Sequence, residues 1–78
     1  MFKRRTGIAG STEPNQKVTI KNIKDLPPGS VVNLGDNTRL IHLHDNLWLW
    51  LSDGAWCYDK LENFYHKLNK DATLEHIP

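Results

Sequence analysis

Two histidines and one cysteine are the residues of this chain whose types and spacing favour metal binding. His42 and His44 are two positions apart, so on a strand both imidazoles would project from the same face, as a pair of zinc ligands can. Two ligands are too few for zinc, and the single Cys57 excludes a cysteine cage and an internal disulfide framework. The sequence therefore predicts no metal site and no cofactor, with Cys57 as a small buried residue.

The signatures of catalysis are missing from the sequence. The chain has no Gly-x-Ser-x-Gly, Walker, dinucleotide-binding or His-Glu-x-x-His motif. Its acids fall in predicted turns and caps, where local hydrogen bonds account for them: Asp36, Asp45, Asp53 and Asp59. A chain of 78 residues also has little room for a deep, supported pocket. We expect a protein that is not an enzyme.

The charges divide the chain into a basic beginning and an acidic remainder. Residues 1–24 carry a net charge of +5 and residues 25–78 a net charge of −4. Residues 1–16 lack apolar periodicity, so they are predicted to be a disordered basic arm before a single domain at 17–78. Such an arm can attract nucleic acid. The residues that would bind it are Lys3, Arg4, Arg5, Lys17, Lys21 and Lys24.

Short alternating runs separated by turn residues predict an antiparallel sheet. Residues 17–23 alternate apolar and polar side chains as a half-buried strand does, and further strands are expected at 31–34, 38–43, 47–51 and 72–77. Pro28-Gly29 suits a type II turn. Asp45-Asn46 and Asp53-Gly54 suit two-residue hairpin turns.

The two hairpin turns predict which side chains share a face. A two-residue loop at Asp45-Asn46 pairs Ile41 with Trp50, and one at Asp53-Gly54 pairs Trp50 with Cys57. One face then carries Ile41, Leu43, Trp48, Trp50 and Cys57. The other carries Leu40, His42, His44, Leu47, Leu49, Leu51, Trp56 and Tyr58. Both faces are apolar, so the rest of the chain or a partner must cover the second one.

A helix at residues 59–68 is the predicted cover of one face. Its apolar residues follow helical spacing: Leu61, Phe64, Tyr65 and Leu68. We expect it on the leucine-rich face, with strands 17–23 and 31–34 closing over the tryptophans. All three tryptophans are expected to serve mainly the core. If that closure is incomplete, the partner site consists of Trp48, Trp50, Ile41 and Leu43.

Four segments together resemble a group of short orphan proteins of actinobacterial bacteriophages. They are IKDLPPGSVVNL, NLWLWLSDGAW, LENFYHKL and ATLEHI, and the likeness covers about residues 23–77. Those proteins share a Leu-Pro-x-Gly-Ser/Thr-Val-Val start, a Trp-x-Trp strand, a further tryptophan and a brief helix. This chain departs from them in its Pro27-Pro28 pair and its longer basic arm. The resemblance implies a small phage-encoded accessory protein but carries no known function.

The sequence thus predicts an α+β domain with an antiparallel meander of four or five short strands and one C-terminal helix. An SH3-like partly closed barrel is the alternative fold. The expected function is a non-enzymatic protein-binding module acting on a host or phage protein. The alternatives are a nucleic-acid-binding accessory protein that uses the basic arm, and a minor virion structural component. No apolar run reaches the roughly 18 residues of a membrane span, so we expect no membrane association and a cytoplasmic location. The resemblance to phage proteins implies the cytoplasm of the infected host cell.

Overall fold

The fold is built on one antiparallel sheet of five strands. The computed structural model describes residues 16–78. The strands are β1 Val31–Gly35, β2 Thr38–His44, β3 Leu47–Ser52, β4 Ala55–Lys60 and β5 Thr73–His76. Successive hairpins join β1 to β4, and β5 returns to β1, which gives the order β4-β3-β2-β1-β5. The predicted antiparallel sheet is confirmed, and the sheet is not closed into a barrel.

Turn chemistry explains where the strands end. Asp53 and Gly54 have φ angles of 48° and 89°, both positive, as a type I′ hairpin turn requires. Gly29 has a φ of 95°, and the Ser30 N–H donates to the Pro27 carbonyl at 3.1 Å. These values match a type II turn with Pro28 and Gly29 at its centre. Both turns lie where the sequence predicts them.

The β3–β4 hairpin has the predicted register, and the β2–β3 hairpin departs from it. Trp50 pairs with Cys57, as expected. In the other hairpin the first predicted pair, His44 with Leu47, is present, but the register then shifts between His42 and His44. The bulge at Leu43 makes His42 the partner of Trp48 instead of Leu49. A shift of one residue exchanges the two faces of a strand, so the predicted facing of β2 is wrong.

The first predicted strand, at residues 17–23, is also wrong. Lys17 forms an isolated bridge to β5, and Ile20–Ile23 is a four-residue helix, α1. The Asn22 side chain accepts from the Thr19 N–H at 2.8 Å and donates to the Lys17 carbonyl at 3.0 Å. Such side-chain bonds compete with strand pairing, which explains why the alternating run turns into a helical segment here.

The predicted C-terminal helix is a 3₁₀ helix, Leu61–Lys67, rather than an α-helix. Asp59, the predicted N-cap, lies in β4, although its Oδ1 still accepts from Asn63 at 2.9 Å. A 3₁₀ helix has three residues per turn, so residues three apart lie above one another. Leu61 and Phe64 are therefore on the same side, and both are buried.

Both helical elements pack on one face of the sheet. The core cluster consists of Val18, Ile23, Leu26, Val32, Leu34, Leu40, Trp48, Leu61, Phe64, Ala72 and Leu74. It therefore contains residues of α1 and of the 3₁₀ helix beside Trp48. The expected arrangement, with the helix on the leucine-rich face and strands over the tryptophans, is wrong. We call the face of Trp48 the covered face.

The residues before α1 pair with the outer edge of β5. The Leu74 N–H donates to the Gln16 carbonyl at 2.8 Å, and the Val18 N–H donates to the Ala72 carbonyl at 2.9 Å. Gln16, assigned to the arm from the sequence, thus contacts the sheet, and the rest of the predicted arm lies outside the described residues. Within residues 16–78 no helix has the length and apolar character to cross a membrane.

Candidate functional site

The sheet presents six large apolar side chains on the side opposite the core cluster. Register and strand alternation assign these residues to it: Ile41, Leu47, Leu49, Leu51, Trp56 and Tyr58. We call this surface the open face. Both helical elements contribute to the core cluster instead, so neither covers it.

Trp56 and Tyr58 are the most exposed part of the open face. Their exposed fractions are 61% and 59%. Their rings stack with centroids 5.8 Å apart and an angle of 17° between the planes. Leu51 lies opposite Trp56 and Leu49 opposite Tyr58, both half-buried. A solvated antiparallel sheet normally carries polar residues on its outer face, so this contiguous apolar surface is unusual.

Charged residues border the open face. On the β5 side, the Arg39 Nε and the Glu75 Oε1 are 2.8 Å apart, and Asn33 Nδ2 donates to the same Glu75 oxygen at 3.2 Å. The hydrogen bond from Arg39 lowers the pKa of Glu75. On the β4 side, Lys60 lies opposite Leu47. An apolar centre with a polar border is the usual composition of a protein interface.

Trp48, a predicted member of the partner site, is a core residue. Its exposed fraction is 1%, and its ring stacks on His42 with centroids 4.5 Å apart and an angle of 2° between the planes. The His42 Nδ1 is 2.9 Å from the Leu26 carbonyl oxygen, and the Nε2 is 2.6 Å from the Asp45 carbonyl oxygen. The two carbonyl oxygens and the Trp48 ring thus hold the His42 imidazole in place.

Trp50 is half-buried on the covered face. The Lys67 ammonium lies 4.6 Å from the centre of a Trp50 ring, a cation–π contact. Beside it is a shallow, open pocket of about 320 Å³ to which Thr38 and His66 also contribute. Trp50 thus meets solvent over a polar pocket and not over an apolar surface.

The other two predicted partner residues lie away from Trp48 and Trp50. Ile41 is half-buried on the open face, and Leu43 is 36% exposed at the bulge. The four residues of the predicted partner site are therefore not brought together. The exposed apolar surface of the sheet is the open face, on the side opposite Trp48 and Trp50.

The residues considered for metal binding are also separated. Both His42 nitrogens face carbonyl oxygens, whereas His44 is exposed, with its Nδ1 3.4 Å from the Asp45 carboxylate. Cys57 is exposed on β4, which corrects the expectation of a buried thiol. Within residues 16–78 no group of three or more His, Cys, Asp or Glu side chains could hold a metal ion.

The candidate nucleic-acid residues lie far from the exposed aromatic pair. Lys17 is exposed on the segment that pairs with β5, at the opposite edge of the sheet from β4. Lys21 and Lys24 are exposed in α1 and at its C-terminal cap. Lys3, Arg4 and Arg5 lie outside the described residues. The structure thus separates Lys17 from Trp56 and Tyr58 by the width of the sheet, and it places Lys21 and Lys24 on a helix that packs on the covered face.

Trp56 and Tyr58 are the residues that sequence reasoning missed as a candidate site. The predicted register placed them correctly on the face opposite Trp50, but the predicted helix covered that face. A signal was available in the turn pattern. A final hairpin strand followed by a helix leaves its outer edge without a sequential partner, and edge strands are less covered than central ones.

Three comparisons with known proteins found no match. No family model matches the chain, no curated protein matches it, and no solved structure matches it.

Proposed function

We propose that this protein is a small, non-enzymatic protein-binding module whose docking surface is the open face. The observation that carries the proposal is the exposure of the stacked Trp56–Tyr58 pair beside half-buried leucines. The set of binding residues predicted from the sequence is revised accordingly. Trp56, Tyr58, Leu49 and Leu51 replace Trp48 and Trp50, and Ile41 is kept.

The chemistry of these side chains favours a protein partner. Tryptophan and tyrosine are enriched at binding hot spots because they bury a large area and lose little conformational freedom. Their prior stacking lowers the ordering cost further, since each ring restricts the other before a partner arrives. The neighbouring leucines would be desolvated with them, and the Arg39–Glu75 pair would remain at the solvated border.

The resemblance to phage orphan proteins suggests the setting. We propose that the partner is a host or phage protein in the cytoplasm of the infected cell. A place in the virion is an alternative setting for the same surface, since an open apolar face can also dock to neighbouring subunits.

Nucleic-acid binding is the second candidate function. Exposed aromatic rings on a sheet can stack on the bases of single strands, and Lys60 lies two residues beyond Tyr58. Against it stand the aliphatic neighbours of the rings and the distance of Lys17, Lys21 and Lys24 from them. Base stacking needs cations along the path of the nucleic-acid strand, but Lys17 lies at the other edge of the sheet and Lys21 and Lys24 belong to the α1 segment on the covered face.

The test is a comparison of two tryptophan variants. The tagged full-length protein is used to capture partners from lysate of its native host, and the affinity of the captured protein is then measured with purified components. Trp56→Ala should weaken binding by about 30-fold or more, the range of an interface hot spot. Trp50→Ala is the matched control, because it removes the same ring from the covered face.

The stability of Trp56→Ala decides how its binding loss is interpreted. The free energy of unfolding of this variant should lie within about 0.5 kcal/mol of the wild-type value, because the Trp56 ring is mostly exposed. Unchanged binding by both Trp56→Ala and Tyr58→Ala would sink the proposal. Sub-micromolar binding of single-stranded oligonucleotides that weakens steeply with salt and with Lys17, Lys21 and Lys24 replaced would favour the second candidate.

A further inference from the structure

The two edge strands of the sheet, β5 and β4, differ in whether their outer sides are paired. The outer side of β5 is paired by residues 16–18, through Gln16 and Val18. The outer side of β4 has no neighbouring strand within residues 16–78, and all six β4 residues are exposed. An uncovered edge strand offers unpaired backbone donors and acceptors to another strand.

The turn at Asp53-Gly54 determines which backbone groups of β4 point outward. In a two-residue hairpin the flanking residues, Ser52 and Ala55, exchange both hydrogen bonds, and every second pair then does the same. The alternation continues past the strand, where the Leu61 N–H donates to the Asn46 carbonyl at 3.0 Å. Trp56 and Tyr58 fall between the bonded pairs, so their N–H and C=O groups point away from β3.

The remaining outward donor of β4 is already used. The Lys60 N–H donates to the carboxylate of its own neighbour, Asp59, at 2.7 Å. β4 also lacks two of the features that protect an edge, since it contains no proline and pairs with β3 without a bulge, and its charged residues, Asp59 and Lys60, lie at its end. The available edge is therefore short and centred on Cys57.

We infer that β4 pairs in antiparallel orientation with β4 of a second copy of this chain, about a two-fold axis at Cys57. Trp56 of each copy then lies opposite Tyr58 of the other. The outward groups of these residues form four backbone hydrogen bonds across the axis. A register centred on Tyr58 would need the Lys60 N–H, which Asp59 occupies.

The side chains of β4 complement each other in this register. Two cross-strand Trp–Tyr pairs form on the open face, where each ring is already stacked within its own chain. Lys60 of each copy lies opposite Gly54 of the other, beside the carboxylate of Asp53, so opposite charges meet at both ends. A second copy supplies all of these features together, which is why we infer it rather than an unrelated strand.

This pairing joins two five-stranded sheets into one continuous sheet. It goes beyond the proposed function, because it depends on the backbone of β4 and not on the capture of another protein. The paired strands are only about 20 Å long, so the interface belongs to the small, weak class. We expect a monomer–dimer equilibrium that shifts with concentration.

Cys57 makes the register testable. Directly opposed residues that are not hydrogen-bonded have Cα atoms about 4.5 Å apart, within the range of about 4.4–6.8 Å that a disulfide spans. Oxidation of the full-length protein with copper phenanthroline should therefore yield a Cys57–Cys57 dimer. Moving the single thiol, as Cys57→Ser with Ala55→Cys, should give little cross-linked product, because Ala55 faces Asp59 of the second copy.

Replacing Tyr58 by proline distinguishes the contribution of its backbone N–H to the dimer from that of its side chain. Tyr58→Pro removes an outward N–H without breaking a bond to β3, so the fold should persist. Sedimentation velocity over a concentration series should show a dimer for the wild type and none for Tyr58→Pro. Tyr58→Ala keeps the N–H and should weaken the dimer by only about 2- to 30-fold, the loss of two cross-strand pairs.

Three results would overturn the inference. They are a monomer at every concentration, dimerisation that Tyr58→Pro leaves unchanged, and a dimer in which Cys57 does not cross-link. Slow amide exchange at Trp56 and Tyr58 that is independent of concentration would also count against it, because the chain would then cover its own edge. Failure here leaves the proposed function standing, since capture of a partner that depends on Trp56 is measured separately.

Discussion

The two faces of the sheet have similar compositions and different environments. Each carries tryptophan and leucine, yet Trp48 is 1% exposed on the covered face and Trp56 is 61% exposed on the open face. The two faces differ because the described residues contain too few helical segments to cover both of them. The helical elements of residues 16–78 are a four-residue helix and a seven-residue 3₁₀ helix, and both contribute to the core cluster that contains Trp48. Apolar composition thus does not by itself tell a core face from a binding face in a domain this small.

Replacement of Trp48 should have the largest effect on stability. Trp48→Ala leaves a large cavity and removes the stacking surface of His42, so we expect a loss of about 3–5 kcal/mol. For a small domain that is enough to unfold much of the population. Urea denaturation followed by circular dichroism measures it. A Trp48→Ala variant as stable as Trp56→Ala would remove the distinction between the two faces.

Replacement of His42 should have the next largest effect. His42→Ala removes the ring nitrogens that contact the Leu26 and Asp45 carbonyls and a ring stacked on Trp48, which should cost about 2–3 kcal/mol. His44→Ala is the matched control, because this exposed histidine is two residues away and should change stability by less than about 0.5 kcal/mol. Similar losses for both histidines in thermal denaturation would contradict the structural role of His42.

Trp50 should be intermediate between Trp48 and Trp56. Trp50→Ala removes a half-buried ring and its contact with Lys67, and we expect a loss of about 1–2 kcal/mol. Lys67→Ala, which removes the cation alone, should cost about 0.5–1 kcal/mol. Chemical denaturation of the two variants and their combination gives the coupling energy. No coupling between them would mean that the contact does not stabilise the fold.

The Arg39–Glu75 pair at the border of the open face should give the smallest effect. Because Arg39 lowers the pKa of Glu75 in the folded protein, the pair stabilises the fold above the ordinary pKa of glutamate, about 4.3. That contribution is lost as the pH falls through the lowered pKa. The side chains are 37% and 40% exposed, so solvent screening limits it to about 0.5 kcal/mol.

Denaturation at about pH 6 and about pH 3 tests this pair. Glu75→Gln should show a smaller deficit at the lower pH, because the contribution of the wild-type pair falls as its carboxyl takes up a proton. Arg39→Met should behave in the same way, and the double variant should lose no more than either single change. Additive losses would show that the two side chains act independently.

Local signals in the sequence predicted the strands of the sheet, its turns and one of the two hairpin registers, but wrongly predicted a strand at residues 17–23. The Asp53-Gly54 and Pro28-Gly29 turns depend on positive φ angles that glycine and aspartate adopt readily, so neighbouring residues suffice to identify them. The register of β3 with β4 follows from the turn alone. The bulge at Leu43 has no comparable local signal, and it moved Leu40 and His42 to the side of Trp48.

The sequence by itself determined that β3 has two apolar faces and that one of them would need a cover. It also determined a short sheet with tight turns, because those features depend on residues close together in the chain. Only the tertiary structure decided that α1 and the 3₁₀ helix join the core cluster of Trp48 and leave Trp56 and Tyr58 exposed. That choice depends on the total apolar area buried by segments distant in sequence, a quantity that no local pattern contains.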